Sequence, residues 1–293
     1  MSNAPDRIGL IGIGLMGSAI ADRLKTAGYT VSGFDPMPAR REYLEQHGGK
    51  GLASAAEVAR QCRRMFLCLP HSGVTAQVLE EIEPQLAPGA LVIDTTTGEP
   101  GEMEAFGARL ASRQVDYADA TVAGSSGQVR KGEAIVMAGA EAHVYASCLP
   151  LLQAVAPRCF HVGPCGAGAR IKLVVNLVLG LNRAVLAEGL AYAEACGVDP
   201  ALALEVLKAS PAYSRAMDVK GARMLTGDYE PEARLRQHHK DVRLILEQAR
   251  EHGARVPFSR LHDLLLAEAE DRGLGDRDNA AIREVFRAAG RAV

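Results

Sequence analysis

Residues 7–28 read RIGLIGIGLMGSAIADRLKTAG: a short apolar run, three glycines spaced Gly12-x-Gly14-x-x-Gly17, then a helical pattern ending at Gly28. No other stretch narrows the choice of fold so far. The run is too short for a buried helix and reads as a strand. The glycines turn the chain sharply, and the helix that follows must pack back on the strand. The pattern then recurs. YTVSGFD ends a second apolar run at Asp35, and RRMFLCLP, GALVIDTTT, QVDYADATVAG and GEAIVMAGA continue the series, with SGVTAQVLEEIEPQL as a helix between two of them. Strand and helix in alternation predict an α/β fold: a Rossmann-type doubly wound parallel sheet with helices on both faces.

The texture changes after residue 163. GPCGAGA is glycine-rich, and beyond it the pattern is helical over 167–196, 200–209, 215–224, 234–252, 257–271 and 277–289, with GVDP and GARVP as breaks. The expected organisation is therefore a sheet domain at 1–163 and an all-α domain at 164–293. A chain of 293 residues is long enough for two cores. Its net charge of −2 gives no electrostatic reason to expect nucleic acid or an acidic membrane as partner. The six cysteines contain no C-x-x-C pair and read as reduced thiols. No apolar run reaches the roughly 18 residues of a membrane span without a charge or amide interrupting it. MSNAPDR carries no signal-peptide pattern. A cytoplasmic protein is expected.

Alone, G-x-G-x-x-G is a weak signal in a chain with 30 glycines. Here a strand precedes it, a helix follows, and an acidic residue ends the next strand. In such a loop, Gly12 makes the turn, Gly14 lets a pyrophosphate approach the backbone, and Gly17 lets helix and strand pack closely. The helix N-terminus presents free N–H groups to the phosphates. Residues Gly12, Ile13, Gly14, Leu15, Met16 and Gly17 are thus candidate dinucleotide contacts. Asp35 is suited to the adenosine ribose and repels a 2′-phosphate, which favours NAD. Arg40 and Arg41 follow closely enough to leave NADP possible.

The stretch 166–195 is rich in Leu, Val and Ala and reads as one long, largely buried helix. Lys172 and Asn176 interrupt it four residues apart, hence on one face. An unpaired buried ammonium costs several kcal/mol, so these two polar positions call for a functional reason or a route to water.

Taken together, these segments resemble the β-hydroxyacid dehydrogenases, the 3-hydroxyisobutyrate dehydrogenase-like group, over nearly the whole chain. CLPHSGV resembles the second nucleotide loop, which would lay Leu69, Pro70 and Val74 along the cofactor. DTTTGEP resembles the D-x-S-T segment, with Thr97 at its threonine and Thr96 where serine is usual. GAGARIKLVVN resembles the catalytic helix, so Lys172 matches the catalytic lysine and Asn176 its partner amide. HHKDVRLIL resembles the late K-D motif, which implies that Lys240 lies by the nicotinamide. One motif departs. The family's substrate loop usually reads D-A-P-V-S-G-G, and here Asp119 to Ser126 read DATVAGSS. Thr121 stands for proline, Ala123 for the substrate-binding serine and Ser125 for a glycine. Val122, Ala123, Gly124, Ser125 and Ser126 remain candidates for gripping a carboxylate through successive N–H groups, with Arg130 a possible further anion contact.

The resemblance implies a dehydrogenase that interconverts a short β-hydroxy acid and its aldehyde or keto acid. Lys172 would be the general acid/base. Free lysine titrates at about 10.4 and needs its affinity for a proton lowered to serve. Two other enzyme readings fit less well: imine reductases usually lack this lysine, and the helical half is short for a phosphogluconate-type decarboxylase. A non-catalytic dinucleotide-binding protein is the remaining alternative, favoured only by Ala123. His238-His239 suggest a metal, but no third ligand is suitably spaced, so none is expected. The apolar surface of the long helix implies a homodimer or homotetramer.

Overall fold

In a computed structural model, which describes residues 6–287, the alternation becomes one eight-stranded sheet followed by helices. β1 (Arg7–Ile11) leads into α1 (Leu15–Thr26), β2 (Thr30–Phe34), α2 (Pro38–Gln46) and a short β3 (Lys50–Gly51). α3 (Ala55–Gln61), β4 (Arg64–Leu67), α4 (Ser72–Ile82), β5 (Leu91–Asp94), α5 (Pro100–Ala111) and β6 (Asp116–Ala123) follow. α6 (Ser126–Lys131), β7 (Ile135–Gly139), α7 (Ala142–Val155) and β8 (Arg158–Gly163) complete this part. The strand order is β3-β2-β1-β4-β5-β6-β7-β8. The chain winds outward from β1 on one side, returns, and winds outward from β4 on the other, so the point of reversal lies between β1 and β4.

Every neighbouring pair is parallel except β6 with β7, which is antiparallel. The parallel expectation is corrected at that pair. α6, of six residues, is too short to carry the chain back along the sheet, so β7 returns beside β6. The register aligns Phe34, Ile11, Leu67, Asp94 and Asp119 side by side. The segments that follow these residues therefore emerge along one edge of the sheet. Alternation along the strands feeds a core on each face. Ile8, Leu10, Phe66 and Ile93 pack with Ile20, Leu24, Leu151 and Leu152. Ile11, Met65, Leu67 and Val92 pack with Val58, Leu79, Met103 and Leu110.

The rest is helical: α8 (Ala167–Ala195), α9 (Pro200–Ala209), α10 (Arg215–Thr226), α11 (Leu235–Glu251), α12 (Pro257–Asp271) and α13 (Arg283–Phe286). The single helix expected over 277–289 is instead a 3-10 turn at Asn279–Ile282 running into α13. Buried Asp278 caps that turn through Ala280 N–H (3.1 Å). Residues 288 and 289 lie outside those described. The compact units divide between Lys172 and Leu173, so the first turns of α8 belong with the sheet.

α8 is the one helix among the described residues long and apolar enough to cross a membrane. Its Ala184, Leu186, Ala187 and Leu190 instead build the core of the helical unit with Met217, Met224, Val242 and Leu266. Gly180 within it answers to packing. A Cβ there would stand 2.3 Å from His238 Nε2. All six cysteines are free thiols.

Candidate active site

The three loop glycines have different physical reasons. Gly12 has φ +93°, and a Cβ there would lie 2.3 Å from the Cys68 carbonyl oxygen. A Cβ on Gly17 would lie 2.0 Å from the Gly12 oxygen. Both glycines are demanded by the protein's own packing. Gly14 is not: its φ of −74° suits any residue, and a Cβ there meets nothing within 4 Å. It is the N-cap of α1, with no side-chain cap and no acidic residue in the first turn. Leu15 and Met16 open that turn. A helix start with uncapped N–H groups, facing space that a side chain would enter, fits a dinucleotide pyrophosphate. Bound there, the dinucleotide would supply the hydride acceptor or donor.

Asp35 follows β2 and is nearly buried. Its Oδ2 accepts from Ile13 N–H at 2.8 Å and its Oδ1 from Met37 N–H at 3.0 Å. The carboxylate therefore holds the glycine loop in shape. Arg41 donates to the Asp35 main-chain oxygen (2.6 Å) and stacks over Phe34. Arg40 is half-buried.

The second and third motifs join the same edge. The Leu69 side chain lies 3.3 Å from where a Gly12 Cβ would be. Leu69 N–H donates to Thr96 Oγ1 (3.1 Å), while Glu99 N–H donates to Ser72 Oγ (3.1 Å) at the start of α4. These bonds fasten the segment holding Thr97 to the segment holding Leu69, Pro70 and Val74. Pro70 is exposed; Val74 and Thr97 are half-buried. Asp94 is fully buried beneath them, accepting from Thr96 N–H (2.8 Å) and Tyr117 OH (3.0 Å). Burial pushes its carboxyl up, against those hydrogen bonds.

β6 carries the altered loop. Val122 and Ser126 are buried, Ala123, Gly124 and Ser125 half-buried, and Gly124 has φ +148°. Ser125 forms a capping box with Gln128: its Oγ accepts from Gln128 N–H (3.3 Å), and its own N–H donates to Gln128 Oε1 (2.8 Å). The amide of Ser125 is thus committed within the protein, which narrows the series of N–H groups expected to grip an anion. The S-x-x-Q spacing signals this box in sequence. Arg130 is also committed, to Ser18 Oγ (2.9 Å) and Asp22 Oδ2 (3.0 Å) of α1, so the anion contact raised for it is not what the structure shows.

Asp119 has a role that its place in the sequence does not disclose. Its Oδ1 accepts from Gly166 N–H (3.0 Å) and its Oδ2 from Ala169 N–H (2.7 Å), capping the start of α8. Burial pushes its carboxyl up to about 7, against those two backbone bonds. Thr121 Oγ1 donates to Gly168 O at 2.9 Å. Lys172 Nζ donates to Val122 O at 2.6 Å. The lysine amine is thus held at the residue that opens the 122–126 loop.

In the helical unit, buried Asn176 donates through Nδ2 to Asp241 Oδ2 (2.8 Å), and Lys240 Nζ pairs with Asp241 Oδ1 (2.9 Å). Asp241 therefore joins the two candidates of this unit. Arg183, two turns beyond Asn176 on α8, is 5% exposed. Burial lowers its guanidinium to about 10, opposed by Asp278 and Asp241. His239 has each ring nitrogen 3.0 Å from a carboxylate, Glu270 or Asp263. His238 packs against His262, whose imidazole is lowered to about 4 by burial, then by Arg183 and His239. Among the described residues no cluster of three or more His, Cys, Asp or Glu is placed to hold a metal ion.

Comparison with known proteins finds a family match for each part of the chain. Residues 7–163 match the family described as the NAD binding domain of 6-phosphogluconate dehydrogenase. Residues 166–286 match the one described as NAD-binding of NADP-dependent 3-hydroxyisobutyrate dehydrogenase. The chain is 30% identical over 284 residues to 2-(hydroxymethyl)glutarate dehydrogenase of Eubacterium barkeri, covering 96% of this chain and 94% of that one. It is 30% identical over 283 residues to L-threonate dehydrogenase of Cupriavidus necator, covering 95% of each. The crystal structure of 3-hydroxyisobutyrate dehydrogenase from Salmonella typhimurium superposes with a TM-score of 0.89 at 25% identity, over 96% of this chain and all of that one. With the glycine loop, the strand-end motifs and the lysine-bearing helix in one order along the chain, these matches make the protein a member of the β-hydroxyacid dehydrogenase family of NAD(P)-dependent oxidoreductases.

Proposed function

We propose that the protein oxidises a short β-hydroxy acid with NAD, or reduces the matching aldehyde or keto acid, with Lys172 as general acid/base. The observation that carries this reading is the Lys172 amine held at Val122 O, next to the loop proposed to grip the substrate. In the oxidation direction the substrate hydroxyl must lose its proton as the carbonyl forms. A neutral amine can take that proton, and as ammonium it returns one in reverse. Asn176, held by Asp241, orients the substrate oxygen. Gly124 and Ser126, with Val122 and Ala123 lining the loop, bind the carboxylate. Ser125, whose amide donates to Gln128 and whose Oγ accepts from it, has only its hydroxyl proton to offer. Lys240, paired with Asp241, is assigned to the nicotinamide by the family resemblance alone. NAD is favoured because the Asp35 carboxylate repels a 2′-phosphate and because Arg41 is already engaged by the Asp35 carbonyl.

The substrates named for the relatives set the panel: 2-(hydroxymethyl)glutarate, L-threonate and 3-hydroxyisobutyrate, joined by 3-hydroxypropionate, serine, glycerate and 4-hydroxybutyrate. Reduced-nicotinamide absorbance is followed with NAD+ and with NADP+, and Lys172→Met is the control. Turnover of one member, lost in the variant, is expected. Undiminished turnover in Lys172→Met would remove the lysine from the mechanism. Silence across the panel with cofactor still bound would favour a non-catalytic dinucleotide-binding protein. We further propose a homodimer or homotetramer through the apolar outer face of α8, where Val178, Val185 and Tyr192 are exposed. Val185→Glu with Tyr192→Glu should then yield a monomer by light scattering.

A further inference from the structure

β6 serves two tasks at once. Its last residues open the 122–126 loop, and its side chains at alternate positions hold the start of α8. Asp119 and Thr121 are two apart, hence on one face of the strand, and both are fully buried. Asp119 takes two N–H groups of the first turn. Thr121 Oγ1 donates to the Gly168 carbonyl at 2.9 Å, with the Met137 carbonyl more distant at 3.4 Å. In an α-helix that carbonyl is the one toward which the N–H of residue 172 is directed. Thr121 therefore grips the peptide one turn below Lys172, while Val122, the next residue of the strand, receives the Lys172 amine itself.

The fit leaves no slack. A Cβ on Gly168 would lie 2.2 Å from the Asp119 main-chain oxygen and 2.9 Å from that of Met137. A Cβ on Gly139 would lie 2.3 Å from Asp119 Oδ1 and 2.7 Å from Gly168 N. The first turn of α8 is pressed onto β6 and β7 backbone to backbone. A small shift of that turn moves the Lys172 amine relative to the loop, because both are measured from the same strand. Proline at position 121 could not make the hydroxyl contact.

We propose that Thr121 is a positioning residue for Lys172: its bond to the Gly168 carbonyl fixes where the amine stands, so that it acts on proton transfer and not on cofactor or substrate binding. This rests on the dehydrogenase reading above. The test uses the full chain with Thr121→Val, which keeps shape and removes the hydroxyl, and Thr121→Ser, which restores it. Single-turnover hydride transfer, the solvent deuterium isotope effect on kcat, cofactor Kd by calorimetry, and hydrogen exchange of peptides covering 166–173 are measured. Misplacement of a reacting group by an ångström costs about 10²-fold, and loss of one of several grips should cost about tenfold.

For Thr121→Val the expectation is slower transfer by that factor, a larger solvent isotope effect, and faster exchange confined to 166–173. KM and cofactor Kd should stay within about twofold of wild type. Thr121→Ser should behave as wild type. A wild-type transfer rate in Thr121→Val, an equal loss in Thr121→Ser, or unaltered exchange would each overturn the proposal. Absence of turnover in the wild-type protein would refute the dehydrogenase reading and the catalytic half of this one, and the exchange experiment would then decide the grip on α8 by itself.

Discussion

Gly14 and Gly17 should separate folding from cofactor binding. Gly14 has a backbone open to any residue and no atom within 4 Å of a new Cβ, whereas a Cβ on Gly17 would meet the Gly12 oxygen at 2.0 Å. Gly14→Ala exchanges a tolerated N-cap for a poor one and should cost about 1 kcal/mol or less, roughly 2–4 °C in Tm for a unit of this size. If a pyrophosphate approaches the α1 N-terminus, the new methyl holds it off the N–H groups. Each charged hydrogen bond so lost is worth about 1.5–3 kcal/mol, so cofactor Kd should rise about 10- to 100-fold. Gly17→Ala forces α1 away from the turn and should lose about 1–3 kcal/mol or more of stability. Calorimetric titration with NAD+ and NADH, alongside scanning calorimetry, reads both quantities. The chain has no tryptophan, so titration heat is the more direct signal. A Gly14→Ala protein that binds cofactor as tightly as wild type would show that the pyrophosphate does not lie at this helix start.

Three further outcomes follow from the geometry. Asp35→Ser removes the negative charge at the end of β2 and should raise the ratio of kcat/KM for NADP+ over NAD+ by about tenfold or more; an unchanged ratio would locate cofactor choice elsewhere. The Asp119 carboxyl is pushed from 3.8 up to about 7, so the folded state keeps a proton that the unfolded chain has lost. Its contribution to stability is then full below about pH 4 and disappears as pH rises through about 7. Asp119→Asn should flatten that part of the pH profile of urea unfolding, and an unaltered slope would mean that the group does not titrate there. Asn176→Asp places a second carboxylate against buried Asp241 and should destabilise the protein by about 1–3 kcal/mol at neutral pH, more as pH rises. Equal urea midpoints for variant and wild type would argue against the Asn176–Asp241 bond.

The glycine loop, the strand ends and the helical half were legible because their signals are local: residues within a turn or a strand of one another decide them. The two-residue β3 and the largely exposed β8 were not, since neither carries an apolar alternation. The reversal of β7 depends on how far α6 reaches, which periodicity does not report. Lys172 and Asn176 were visible as polar residues in an apolar helix, but their partners were not. Val122 and Asp241 lie 50 and 65 residues away in sequence. Asp119 reads as an ordinary strand-end acid until the fold brings Gly166 and Ala169 to it. The Ser125–Gln128 box differs, because its spacing is local and a closer reading of four residues finds it.

The proposed function stands or falls on whether the Lys172 amine moves the proton. The most direct measurement is kcat of Lys172→Ala, with and without added primary amines, at saturating cofactor and hydroxy acid. Lys172→Ala should lose about 10²- to 10⁴-fold, leave cofactor Kd unchanged, and regain part of its activity with small amines in step with their basicity. A Lys172→Ala enzyme that turns over within about tenfold of wild type, short of the lower bound for a general base, would contradict it.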